Sequence, residues 1–125
     1  MKRKVKYTFI IEKTTNGFSA YSKEISVFTT GNTLTELKNN CSEAMELSLN
    51  ASNFSIDFQI DLKQFFQYYR VINANYLAER IGMNPTLFSQ YVKGRKQPSA
   101  KQTNRILMGI NEIGKELSEL QFIQL

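Results

Sequence analysis

Apolar residues change their period along this chain, and the changes predict its elements. Val5, Tyr7, Phe9 and Ile11 alternate with Lys4, Lys6 and Thr8, the two-residue repeat of a strand with one buried face. Asn16-Gly17 marks a hairpin turn, and residues 18–22 and 25–29 read as a second and a third strand. Thr33 with Glu36 has capping-box spacing, after which Leu34, Leu37, Cys41, Ala44, Met45 and Ser48 fall on one helix face. Phe54, Ile56, Phe58 and Ile60 then alternate with Ser55, Asp57 and Gln59, which predicts a fourth strand returning beside the first.

From residue 61 the pattern is helical. Asp61 and Gln64 open a helix lined by Phe65, Phe66, Tyr68, Tyr69 and Ile72. A second helix ends at Ile81, where Gly82 tolerates the left-handed backbone that a tight turn needs. Asn84 then serves as N-cap and Pro85 takes the first helical position, where its missing N–H costs nothing. Gly94 closes that helix, and Ser99 with Gln102 caps another. Ile106, Ile110, Ile113, Leu117 and Leu120 recur on one stripe, and residues 121–125 read as a short tail strand. The expected fold is therefore α+β: a small N-terminal β-sheet with one covering helix over residues 1–60, followed by an all-α helix-turn-helix domain over residues 61–125. The stripe is longer than one small domain must cover, so Ile110, Ile113, Leu117 and Leu120 are expected to form a dimer seam.

Composition narrows the chemistry. Histidine is absent, which removes the usual neutral-pH base, the Cys-His and Ser-His arrangements and the commonest metal ligand. The aspartates are Asp57 and Asp61 alone, and Glu36, Glu43 and Glu46 lie on a helix as capping or solvated charges. No catalytic residue, metal site or cofactor is therefore expected. The single cysteine, Cys41, sits in the apolar helical pattern and reads as a packed hydrophobe. With no signal peptide or membrane-spanning run, the protein is expected in the cytoplasm. Between Tyr76 and Arg105 six cations stand against Glu79 alone, a net charge of plus five, equal to that of the whole chain. Charge concentrated on one unit in this way suits the counterion release that drives DNA binding.

The residues Leu77-Ala78, Ile81-Gly82, Phe88 and Lys93-Gly-Arg-Lys-Gln-Pro-Ser99 resemble the Cro and phage-repressor type of helix-turn-helix domain. That resemblance implies that the helix after the turn enters the major groove and that the loop beyond it grips phosphate. Carried onto this chain, Asn84, Thr86, Ser89 and Gln90 would face base edges, while Asn73, Lys93, Arg95 and Lys96 would hold the backbone of operator DNA. Gln90 is the strongest base reader, because a carboxamide pairs bidentately with adenine N6 and N7.

The first 60 residues carry a second resemblance. The strand-strand-strand-helix-strand order, with Phe18-Ser-Ala-Tyr21, Thr29-Thr-Gly-Asn-Thr33-Leu-Thr-Glu36 and Asn40-Cys-Ser-Glu43-Ala-Met-Glu-Leu47, resembles the HicB antitoxin family. This implies a partial ribonuclease H-like domain that binds and occludes a HicA-like messenger RNA-cleaving toxin, joined to a DNA-binding domain that represses the shared operon. For the toxin surface, interface chemistry favours positions on the second and third strands: Ser19, Tyr21, Lys23, Glu24 and Phe28. The expected partners are thus operator DNA, a HicA-like toxin and further copies of the chain as a homodimer or higher homo-oligomer, with no membrane. The alternative is a stand-alone Cro-type regulator whose N-terminal domain dimerises or senses a ligand.

Overall fold

The computed structural model describes residues 4–123. The chain separates into two compact units, one ending at Tyr68 and the other beginning at Tyr69.

The first unit is built on β1 (Val5–Lys13), β2 (Phe18–Ser22), β3 (Phe28–Gly31), α1 (Leu34–Leu49), β4 (Phe54–Ile60) and α2 (Leu62–Tyr68). Its sheet has the order β3-β2-β1-β4. β1 pairs antiparallel with β2, with Ile11 opposite Ala20, and parallel with β4, with Phe9 opposite Phe58. The turn between β1 and β2 is closed by Thr14 N–H donating to the Gly17 carbonyl at 2.9 Å. Lys13 reinforces it by donating Nζ to the carbonyls of Thr14 and Gly17 at 2.7 and 2.9 Å.

Alternation fixes which face is buried. Phe9, Ile11 and Ala20 share one side of the sheet, and α1 lays Leu37, Cys41 and Met45 on them, one helical turn apart and fully buried. Thr33 Oγ1 accepts the Glu36 N–H at 3.1 Å, and Glu36 returns a carboxylate oxygen to the Asn32 N–H at 3.1 Å. The helix therefore starts where the capping residues place it. Asn40 donates from Nδ2 to the Thr30 carbonyl at 2.7 Å, tying α1 to β3.

The expectation of a small N-terminal sheet with one covering helix over residues 1–60, followed by an all-α domain from residue 61, is overturned. Three strands precede α1 and the fourth follows it, so the sheet closes only after the helix, through the parallel β1–β4 pairing. The next helix, α2, also goes with the sheet rather than opening the helical unit. The cause lies in Gln64, whose carboxamide clamps the Lys13 backbone from both sides, accepting its N–H at 2.8 Å and donating to its carbonyl at 2.7 Å. The Lys13 ammonium also lies 5.4 Å from the centre of the Tyr68 ring. Leu62 and Phe66 are buried, and α2 stops at Tyr68, leaving Tyr69 and Ile72 outside it.

The third strand is also displaced. Strand pairing begins at Phe28, because residues 23–27 form a compact bend in which Ser22 N–H donates to the Val27 carbonyl at 2.9 Å. Val27 enters the core from that bend.

The second unit comprises α3 (Ala74–Ile81), α4 (Pro85–Val92), α5 (Ala100–Ser118) and a 3-10 turn (Glu119–Phe122). Leu77, Ala78, Met83, Phe88, Tyr91 and Ile106 form its buried interior. α5 crosses α3 at Gly109, where an added Cβ would stand 2.4 Å from Ile81 Cγ2. Arg80 and Glu116 pair across the same two helices. The tail strand expected over residues 121–125 is replaced by the 3-10 turn, with Gln124 and Leu125 outside the described residues. Among the described residues no helix is long and apolar enough to cross a membrane.

Candidate nucleic-acid interface

The turn between α3 and α4 is set by backbone chemistry. Gly82 adopts φ +70°, and its N–H donates to the Glu79 carbonyl at 3.2 Å while Met83 N–H donates to the Ala78 carbonyl at 2.9 Å. This pair of bonds is the Schellman closure of a helix, and buried Met83 supplies the apolar contact that accompanies it. Two residues on, Asn84 restarts the helix: its Oδ1 accepts the N–H groups of Thr86 at 2.9 Å and Leu87 at 3.2 Å, with Pro85 at the first position.

α4 then divides by periodicity. Phe88 and Tyr91 are buried, whereas Thr86, Gln90 and Lys93, at spacings of four and three, point to solvent. Beyond Gly94, at φ +72°, the backbone N–H groups of Arg95 and Lys96 donate to the Gln90 carbonyl at 2.9 and 3.3 Å. That fold-back carries Arg95 to the edge of the helix. Thr86, Ser89, Gln90, Lys93 and Arg95 thereby line one shallow depression of about 360 Å³ together with Asn75 and Pro85.

Not every expected residue joins that cluster. Asn84 is exposed, but its side-chain oxygen is committed to the cap, which leaves only its amide nitrogen outside that role. Asn73 caps α3 by accepting the Tyr76 N–H at 3.1 Å and lines an adjoining depression with Asn75, Glu79 and Met83. Lys96 is exposed outside both. Asn75 lines both depressions and was not singled out from the sequence; its signal is an exposed carboxamide in the first turn of α3, one residue after Ala74.

The local charge is also partitioned. Arg80 is paired with Glu116, and Arg105 turns inward to the carbonyls of Ile81 and Gly82. Lys93, Arg95, Lys96 and Lys101 remain on the surface.

The sheet positions expected to meet a toxin separate in the same way. Ser19 is corrected from exposed to buried: its side chain is short, and the longer ones of Glu12 and Thr30 flank it on the neighbouring strands. Tyr21 and Phe28 are direct cross-strand partners, 40% and 67% exposed, on the sheet face opposite α1. Burial first, then the carboxylates of Glu12 and Asp61, hold the Tyr21 hydroxyl above the usual tyrosine pKa. Glu24 is exposed, but its two carboxylate oxygens accept the Thr8 N–H at 2.9 and 3.2 Å, so it pins the bend after β2. Lys23 is exposed beside it and donates its backbone N–H to the Thr8 carbonyl at 2.9 Å.

Of the expected seam, Ile110, Ile113 and Leu117 line an apolar groove of about 930 Å³ between α3 and α5. Leu120 lies past the end of α5, in the 3-10 turn. Among the described residues no group of His, Cys, Asp or Glu is placed to hold a metal ion. Cys41 is buried, and burial pushes its thiol up to about 11. No protein-family model, curated protein or solved structure matches the chain.

Proposed function

We propose that this chain is an autoregulating antitoxin: its helical unit binds operator DNA in a sequence-specific way and represses transcription, and its sheet unit neutralises a HicA-like toxin. The observation that carries the DNA arm is the convergence of Thr86, Gln90, Lys93 and Arg95 on one exposed surface, presented by a helix whose entry is fixed by a rigid turn. A carboxamide and a hydroxyl one helical turn apart suit base edges in the major groove, and two cations at the helix end suit the flanking phosphates. The toxin arm draws on the HicB-like pattern and on the exposed Tyr21–Phe28 pair, since aromatic side chains anchor protein interfaces. A second copy seated over the groove lined by Ile110, Ile113 and Leu117 gives the operator two recognition helices.

Selection of duplexes from a randomised pool tests the DNA arm. Gln90→Ala costs about 1–3 kcal/mol on the selected duplex and little on a scrambled one, whereas Lys93→Ala weakens both and lowers the salt slope by about one. Equal loss on both duplexes for Gln90→Ala removes its assigned role. Co-expression with a tagged product of the adjacent small reading frame tests the other arm. Co-purification with rescue of growth supports the antitoxin reading; a harmless or non-binding neighbour leaves a stand-alone repressor.

A further inference from the structure

The helix-turn-helix is locked by a side chain that belongs to neither of its helices. Arg105, in the second turn of α5, donates Nη2 to the Ile81 carbonyl at 2.9 Å and to the Gly82 carbonyl at 3.3 Å. Its Nη1 donates to Gln102 Oε1 at 2.9 Å, which orients the guanidinium plane. The carbonyls of Ala78 and Glu79 are already taken by the backbone of Met83 and Gly82, and the arginine adds the Ile81 carbonyl to the capped end of α3. A cation at this end also meets the negative pole of the helix dipole. The outer side of the turn offers no packing: nothing lies within 4 Å of where a Cβ on Gly82 would stand. Packing secures the inner side of the turn through Met83 and Phe88, and the arginine's hydrogen bonds tie its outer carbonyls to α5.

We propose that Arg105 is a positioning residue for groove reading, fixing the direction of α4 while making no phosphate contact of its own. This rests on the DNA reading above. It assigns a discriminating role to a cation that charge counting places among the phosphate binders, and it separates Arg105 from Lys93 in a measurable way.

The test uses the full chain with Arg105→Met, which keeps the aliphatic stem and removes the donors, and Arg105→Lys, which keeps a cationic donor. Without DNA, amide exchange followed by NMR reads the turn. Arg105→Met accelerates exchange at Gly82, Met83, Thr86 and Leu87 by about tenfold relative to amides in the middle of α5, and Arg105→Lys restores part of the protection. With DNA, the probe is the duplex selected by the wild-type chain against its scrambled counterpart. Arg105→Met lowers the ratio of the two affinities by about tenfold and leaves the salt slope unchanged. A slope reduced by about one with equal loss on both duplexes makes Arg105 a phosphate ligand and overturns the proposal. Exchange that rises uniformly across α3, α4 and α5 reduces the residue to general stability and overturns it as well. A wild-type chain that selects no duplex overturns the reading role together with the DNA reading, while the exchange result still decides whether the arginine clamps the turn.

Discussion

α1 and α5 are the two long helices of this chain, 16 and 19 residues, and they are covered to different extents. α1 lies on a four-stranded sheet, and its stripe of Leu37, Cys41 and Met45 is fully buried. α5 packs on α3, whose 8 residues extend only about 12 Å, against about 28 Å for α5. Ile106 and Gly109 are consequently buried, while further along the same stripe Leu117 is 59% exposed. A sheet is wide enough to cover a long helix; a short helix covers only the half it crosses. The uncovered half of α5, with Ile110, Ile113 and exposed Leu117 along the groove, is where a second copy would complete the core.

The comparison is broken most strongly at Ile106. Ile106→Ala removes a fully buried side chain from the covered half and lowers stability by about 2–5 kcal/mol in denaturant melts. Next comes the covered stripe of α1, probed by pH. Because burial raises the Cys41 thiol, the native state keeps its proton after the unfolded chain has lost it. This stabilising contribution is full below pH 9 and falls away up to about pH 11, by at most about 3 kcal/mol. Cys41→Ala flattens the stability-pH curve in that window, and identical slopes in both proteins show that the thiol is hydrated.

Two glycines of α5 then sharpen the contrast. Gly109→Ala drives a Cβ into the stiff Ile81 side chain, and overpacking costs about 1–3 kcal/mol despite the better helix propensity. Gly114→Ala meets open space within the single chain and gains about 0.5–1 kcal/mol in a dilute melt. The smallest change in single-chain stability is at Leu117. Leu117→Ser shifts it by less than about 0.5 kcal/mol, yet removes any dependence of the melting temperature on protein concentration. A concentration-independent wild-type melt removes the second copy from the groove.

The local signals in the sequence were legible because they depend on a few neighbouring atoms. Thr33, Asp61, Asn84 and Ser99 all accept the N–H groups their capping places imply, and Gly82 turns as a left-handed residue must. What failed depended on distant partners. Val27 carries the same apolar mark whether it lies in a strand or drops into the core from a bend. The aromatic run of α2 suits a helical bundle, but Gln64 commits that helix to Lys13, 51 residues earlier. Strand position alone puts Ser19 on the toxin surface, whereas its short side chain is buried between Glu12 and Thr30. At the interface, residue types were readable, whereas the division of labour was not: Asn84 spends its acceptor on a cap, and Arg105 spends its charge on a turn.

The parallel pairing of β1 with β4 carries a consequence for synthesis on the ribosome. β1 is a central strand whose second neighbour begins at Phe54, long after the hairpin with β2 ends at Ser22. At about 5–20 residues per second, β4 emerges roughly two to eight seconds after β2. Throughout that interval the nascent hairpin presents an unpaired edge beside Phe9, and α1 must wait for the full width of its platform. The helical unit waits less: α4 follows α3 directly, and the Arg80–Glu116 pair that joins α3 to α5 spans 36 residues. Translation thus leaves the edge of β1 open to pairing with other chains until β4 arrives.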